Sequence, residues 1–360
     1  MKRIWFFIIT GLLAFCAAGS RGTVSSLDRA MVSAVGIDTS DKGYKVTLQI
    51  FRPDSAGTDT QLDPAKANIF VVSEAAATVE EAMNRCEDRL GEFLFIGHNQ
   101  LTVIGEGVEL SRPEQLLASL YKSKESYLGA RVAYSESAEK LLSAELSEGI
   151  VAAQSVVSII ERHCENSSSV SCDLLRAMDA GRDTVVMPLL RTVSSKGEET
   201  VSAEGAAMFT DGIHRCDLDA QECSAAALLT NECSRAVLDY ETEDGLSSVT
   251  VKGLRCRRAI AEEGGRLSCR FTVEGEIQED QSTPPAGERE SLVGQCEDEL
   301  EQRCSRLIGL IYEQEADPIE LTELISSRFP GVWYGCGEDF AEALKLTDIS
   351  VKAKISVREG

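Results

Sequence analysis

Residues 31–51 read MVSAVGIDTSDKGYKVTLQIF. Met31 to Ile37 and Tyr44 to Phe51 are alternating, β-branched runs, and the turn-rich Asp38-Thr39-Ser40-Asp41-Lys42-Gly43 joins them, which predicts a β-hairpin. What surrounds this hairpin decides the class of fold. Arg52 to Lys66 is rich in Asp, Thr, Pro and Gly without periodicity, and reads as a loop into a strand at Ile69 to Val72. Thr78-Val79-Glu80-Glu81 predicts a capped helix to about Leu90, the Thr78 hydroxyl and the Glu81 carboxylate each satisfying the other's exposed amide.

The alternation of strand and helix continues downstream. Phe93 to His98 and Gln100 to Ile104 read as buried strands about a Gly97-His98-Asn99 turn, Pro113 opens a short helix to Tyr121, and Tyr127 to Tyr134 is a further strand. Ala138 onward reads as helix. The spacing Ile150, Ala153, Val157, Ile160, Cys164 marks an amphipathic helix over Gly149 to Cys164, with a shorter one over Leu174 to Met178. Strands at Val185 to Val193 and Thr200 to Phe209 flank Ser194-Ser195-Lys196-Gly197, where the boundary to a second unit is placed. In that unit, β runs at Ser247 to Ile260 and Arg266 to Ile277, split by Glu262-Glu263-Gly264-Gly265, precede a helix of about Glu288 to Gln314. Pro318 opens another helix to Phe329, and alternating Ile349, Val351, Ala353, Ile355 and Val357 close the chain as a half-buried strand. The expected class is α+β and multidomain, two to three units of mixed sheet flanked by helices.

At 360 residues and 43% hydrophobic, the chain can bury a core in two or three such units. Its net charge of −23, from 59 acidic against 36 basic residues, repels phosphate backbones and anionic lipid headgroups and argues against a nucleic-acid partner. At the N-terminus, Lys2 and Arg3 precede an apolar run from Ile4 to Phe15 and the small residues Cys16-Ala17-Ala18-Gly19-Ser20, the layout of a signal peptide over residues 1–15. The run is too short for a transmembrane helix, which needs about 20 residues. Cys16 stands where a lipobox places its acylated thiol, after Leu13 and Ala14, although Phe15 is larger than the residue usual before that cysteine. The other reading is an ordinary secreted protein cut near Ala17 or Ala18.

Twelve cysteines in an exported chain raise the question of a disulfide framework. No C-x-x-C occurs, and His98, His163 and His214 complete no zinc spacing. Cys296 and Cys304 fall in the stripe Val293, Cys296, Leu300, Cys304, Leu307, Ile308, Ile311, as small core hydrophobes. Cys256 and Cys269 would face each other, and admit a bridge, if Ala261 to Gly264 formed a four-residue hairpin loop. The acidic runs Glu279-Asp280 and Glu297-Asp298-Glu299 read as solvated face rather than a calcium site, since neighbouring carboxylates on a helix fan apart. There is no nucleophile elbow, P-loop, dinucleotide glycine pattern, HExxH helix or EF-hand loop. His98 has no Ser or Cys nucleophile pattern beside it, and in a tight turn is expected to bond its own backbone. The expectation is a protein with no catalytic residues, cofactor or metal.

Val32 to Asp38 followed by Tyr44 to Ile50 resembles the opening of the Ger(x)C spore germination proteins, a strand ending in Gly36-Ile37-Asp38 and then one ending in Thr47-Leu48-Gln49-Ile50. Phe95 to Glu106, with Gly97-His98, is similar to the family's Leu-Gly-His segment. Met187-Pro188-Leu189, Glu204-Gly205-Ala206-Ala207-Met208-Phe209 and Phe329-Pro330-Gly331-Val332-Trp333 resemble later family segments, in order. The resemblance implies an N-terminal germination-protein region over residues 16–200, with subdomains at about 24–64 with 184–202 and at 65–183, and a C-terminal domain over 203–360. It implies that Gly36, Ile37, Asp38, Gly97, His98, Gly205 and Trp333 serve structure or interaction, and that Cys16 is lipidated, although Ala17-Ala18 replaces the family's usual Trp-Asp. It further implies the C subunit of a GerA-type nutrient germinant receptor, on the outer face of the spore inner membrane beside membrane-embedded A and B subunits. Two other classes remain open from sequence: an extracytoplasmic solute-binding lipoprotein, which needs a cleft between two similar lobes, and a secreted hydrolase.

Overall fold

The computed structural model describes residues 29–51, 69–122, 126–146, 149–195, 198–203, 205–242, 245–278 and 289–358. The signal peptide, Cys16 and Glu279-Asp280 lie outside them. The hairpin forms as β1 (Arg29–Ser40) and β2 (Gly43–Phe51), antiparallel from Met31 opposite Phe51 to Ser40 opposite Gly43. β3 (Ile69–Ala76) pairs with β2, while β4 (Phe93–Phe95) and β5 (Leu101–Gly105) run parallel to successive stretches of β1. β6 (Arg131–Ser135), β9 (Val185–Ser195), β10 (Glu198–Ser202), β11 (Ala206–Thr210) and β12 (Ile213–Leu218) complete a ten-stranded mixed sheet, ordered β12-β11-β9-β6-β5-β1-β2-β3. β7 (Glu145–Leu146) and β8 (Gly149–Ile150) form a small separate pair.

Alternation along the central strands sorts the two faces. Ile104, Val132 and Tyr134 pack in one core with α1 (Val79–Leu90), α2 (Pro113–Leu116), α3 (Ala118–Tyr121) and α6 (Leu174–Ala177). Leu101, Val103 and Ala133 pack in the opposite core with α4 (Ala138–Leu142) and α5 (Ala153–Glu165). This is the period of two that places successive side chains on opposite faces. Thr78 caps α1 by accepting from the Glu81 amide at 3.1 Å, but the Glu81 carboxylate turns to Arg85 at 2.6 Å, one helical turn on, rather than closing the reciprocal cap.

Two expectations about boundaries change. The strands assigned to two subdomains share one sheet, because β9 pairs in parallel with β6 and the sheet continues through β5 to β1. The sheet also continues past Ser194-Ser195-Lys196-Gly197 and past residue 203. The run Thr200 to Phe209 breaks at Gly205, whose φ of +82° turns the chain so that β11 pairs with the first half of β9 and β10 with the second.

The second unit is a four-stranded sheet, β13 (Arg235–Thr242), β14 (Gly245–Glu263), β15 (Arg266–Gln278) and β16 (Thr347–Arg358), wrapped on α8 (Arg289–Gln314). Both edges of this sheet bond to the same helix. Gln295 and Arg303 reach Glu241 and the Val237 carbonyl on β13, while Glu297 and Glu301 accept the Ile355 and Ala353 amides of β16 at 2.8 and 3.0 Å. Glu297 and Glu299 are therefore not simply solvated: the first covers a sheet edge, and the second pairs at 2.7 Å with the buried Arg303. Leu292, Cys296, Leu300, Cys304, Leu307, Ile308 and Ile311 of α8 are buried under the sheet, each full-sized aliphatic side chain contributing about 1.5–3 kcal/mol. α7 (Ala220–Thr230) lies between the units, and α9 (Leu321–Arg328), α10 (Pro330–Gly335) and α11 (Phe340–Lys345) lead back to β16.

The bridge between Cys256 and Cys269 does not form. The β14–β15 turn is the two-residue Gly264-Gly265, with φ of +60° and +81°, and not a four-residue loop. Two successive positive φ values suit the tight hairpin turn that matches strand twist. The resulting register puts Cys256 opposite Val273 and Cys269 opposite Ile260, and both thiols are free and buried.

Candidate functional site

The residues of the opening motif converge on one short helix. Asp38 accepts the Ala138 and Glu139 amides of α4, one on each carboxylate oxygen at 2.8 Å, alongside the Ser137 hydroxyl that accepts from Lys140. A methyl on Gly36 would stand 2.9 Å from Ala138 Cβ, and one on Gly105 would stand 2.1 Å from the Asp38 carboxylate. Both glycines let α4 and its capping residue sit directly on the sheet, and Ile37 between them is fully buried. Gln49, 1% exposed, ties the far end. Its amide nitrogen donates to the Leu142 and Val151 carbonyls, both at 2.9 Å, and its oxygen accepts the Ala153 amide at 3.1 Å, linking α4 to α5.

Gly97 and His98 lie elsewhere, at the opposite end of β5. With Asn99, Gln100, Tyr127, Gly129, Arg131, Gln154, Glu161 and Asp173, they line an open cleft of about 510 Å³. The His98 ring is exposed and meets Phe95 edge-on at 5.4 Å instead of bonding its own backbone. Tyr127 lies across Gly129, where a methyl would meet its ring at 2.9 Å. Strand β6 starts only at Arg131, so Tyr127 to Gly129 form a turn and not the expected strand. The charges of the cleft are matched within the protein: Arg131 pairs with Glu161 at 3.4 Å and donates to Ser171 at 3.0 Å, and Asp173 caps α6 through the Arg176 amide at 2.8 Å. Asn99, 4% exposed, donates to Thr102, and its carbonyl oxygen has no partner. A polar, open lining with paired charges differs from the mostly apolar enclosure that holds a small ligand.

Gly205 and Trp333 are apart from both places. Gly205 donates to the Ser168 carbonyl at 2.9 Å and its own carbonyl accepts from Ser169 at 2.8 Å, so a methyl there, 2.4 Å from the Leu218 carbonyl, would force open the join between the sheet and α7. Trp333, on α10, is half-buried against the core of the second unit, with exposed Tyr334 beside it. The seven motif residues thus form no single site: Gly36, Ile37 and Asp38 seat α4, Gly97 and His98 edge the cleft, Gly205 shapes the junction, and Trp333 covers the second core. Sequence reading missed Gln49's clamp and the Arg131, Glu161 and Asp173 set, which come together only through strand pairing and carry no local pattern.

Burial pushes the thiols of Cys86, Cys172, Cys269 and Cys304 up to about 12 and those of Cys164, Cys216, Cys256 and Cys296 up to about 11. At neutral pH these groups are thiols, not the thiolates that attack or ligate. Among the described residues no group of three or more His, Cys, Asp or Glu side chains is gathered as for a metal ion, and no helix is long and apolar enough to cross a membrane.

Residues 26–192 match the spore germination protein N-terminal domain, and residues 204–360 match the spore germination B3/GerAC-like C-terminal domain. No curated protein sequence matches the chain. The crystal structure of the GerBC protein is similar in fold, with a TM-score of 0.58 at 15% identity over 90% of this chain and 96% of that one. The two sequence domains meet between residues 192 and 204, whereas the large sheet runs on to Leu218, so the β11–β12 hairpin belongs to the second by sequence and to the first by hydrogen bonding. With both halves matched in order, and with the opening motif shaping the sheet, the chain belongs to the Ger(x)C family of spore germination proteins.

Proposed function

We propose that this chain is the lipid-anchored, non-catalytic C subunit of a nutrient germinant receptor, held through an acylated Cys16 on the outer face of the spore inner membrane and associated there with membrane-embedded A and B subunits. The observation that carries the reading is the ordered match of both germination-protein domains across residues 26–360, downstream of a leader over residues 1–15 that is followed by Cys16. A diacylglyceryl cysteine supplies two acyl chains, enough for stable anchoring where one gives only marginal binding. The motif residues seat helices and shape junctions, and burial holds the eight thiols named above protonated, which supports a body that contributes surface to an assembly rather than chemistry. The solute-binding alternative needs two similar lobes about a ligand. Here a ten-stranded sheet with helices on both faces stands beside a four-stranded sheet wrapped on one helix.

Intact mass of the protein from spore membranes, together with its co-isolation with two membrane-spanning subunits, tests the proposal. A diacylated chain starting at Cys16 and retained with both partners is expected. A soluble form starting at Ala18 or Gly19 would sink the anchoring.

A further inference from the structure

The start of β1 lies at one end of the large sheet, and exposed apolar side chains collect there. Phe93 on β4 is opposite Arg29, and Phe51 at the end of β2 is opposite Met31, so the two phenylalanines flank the point where the chain enters the fold. β5 and β6 start from the same end, since both run parallel to β1. The turn that leads into β6 carries Tyr127 and Leu128. Leu175 follows Leu174, whose amide donates to the Ala130 carbonyl beside that turn. Phe51, Phe93, Tyr127, Leu128 and Leu175 are 41%, 60%, 56%, 46% and 63% exposed. Strands β2 to β6 span three inter-strand spacings, about 14 Å, so Phe51, Phe93, Tyr127 and Leu128 stand at one end of the sheet, with Leu175 on α6 beside it. The other large exposed apolar residues among those described, Val193, Ile213, Val237, Tyr312 and Tyr334, each stand on a different element. Aromatic and aliphatic side chains grouped at one end, where others are dispersed, mark a surface that meets something apolar.

What precedes β1 names the occupant. Twelve residues, Ala17 to Asp28, separate Cys16 from Arg29, which limits the distance between them to at most about 45 Å. With Cys16 in the bilayer, as proposed above and on which this inference rests, this end of the sheet is held close to the headgroups. We infer that it lies on the membrane surface, with Phe51, Phe93, Tyr127, Leu128 and Leu175 in the interfacial layer, where aromatic rings are favoured. The acidic body weakens approach to anionic lipid. The anchor offsets this by raising the local concentration of the surface, so a few apolar contacts suffice to orient it.

The test separates orientation from acylation. Residues 1–16 are replaced by a histidine tag bound to nickel-chelating lipid in phosphatidylethanolamine–phosphatidylglycerol vesicles, so anchoring no longer depends on Cys16. Trp333 is then the only native tryptophan, because Trp5 is removed. Phe93→Trp and Leu128→Trp, both at exposed sites, are compared with Val237→Trp on the second unit, using lipids brominated high on the acyl chain. Loss of emission at positions 93 and 128, with none at 237 beyond the Trp333 background, is expected. Equal quenching at all three positions, or none at 93 and 128, would overturn the inference whatever the acylation state of the native protein.

Discussion

Replacing Gln49 tests whether a single buried amide holds the α4–α5 side of the large sheet in place. Gln49→Ala removes two donors and one acceptor at once and leaves the Leu142 and Val151 carbonyls and the Ala153 amide unpaired. Each unpaired buried backbone group costs about 1–3 kcal/mol, so the variant should lose about 3–5 kcal/mol after partial rescue by water entering the vacated space. That is a large share of a domain's usual stability, about 5–15 kcal/mol. Gln49→Glu keeps the shape but, when ionised, cannot donate to either carbonyl, so it should be at least as damaging at pH 7. Acidification should restore part of the loss, because a protonated carboxyl supplies one donor. Urea unfolding of the chain lacking its leader, followed by circular dichroism at pH 7 and pH 5, measures both. The reasoning fails if Gln49→Ala stays within about 1 kcal/mol of the parent, the range of an ordinary substitution, or if Gln49→Glu matches the parent at pH 7.

Gly105→Ala should destabilise by about 1–3 kcal/mol, because its methyl would displace the Asp38 carboxylate from the α4 amides; thermal melts check it, and an unchanged midpoint counts against the capping role. Thiol alkylation at pH 8 should leave Cys86, Cys172, Cys269 and Cys304 unlabelled until the protein is denatured, and reduction should not raise the mass by the two hydrogen atoms that opening a Cys256–Cys269 bridge would add. Asp317 is held above its ordinary value by burial, although it accepts the Leu321 and Thr322 amides. The folded state therefore binds its proton more tightly than the unfolded chain. That contribution is fully present below the unfolded value and is lost as pH rises through the folded one. Urea midpoints should show the parent losing stability relative to Asp317→Asn as pH rises upward from about 4, and a rising or flat difference would refute the assignment.

Much of the fold was legible where one face of an element is apolar. α1 behind Thr78 and the α8 stripe through Cys296 and Cys304 carry their periods openly, because each buries one side, while the β1–β2 hairpin, buried on both faces at its centre, was legible from its β-branched runs and the turn between them. α7 was not legible. Seven of its residues from Cys223 to Leu229 are buried in succession between the two units, so no stripe distinguishes one face. β12 and β13 were missed with it, and the Thr200 to Phe209 run was read through Gly205, whose turn becomes necessary only when β11 must reach the other half of β9. The carboxylates of α8 looked like solvated face because helix spacing alone does not reveal that the sheet edge closes on them. The motif residues were recognisable, but their work was not, since Asp38 is a hundred residues from the amides it caps.

The central claim is that this chain acts in nutrient germination as an anchored receptor subunit, and the most direct measurement is the optical-density loss of spores exposed to single nutrients. Spores carrying the gene deletion, or Cys16→Ala in its place, should fail or slow in their response to the nutrients of one receptor while responding normally to others, because loss of the anchor removes the subunit's high local concentration beside its partners. Wild-type responses to every nutrient after deletion of this gene and its paralogues would contradict the account.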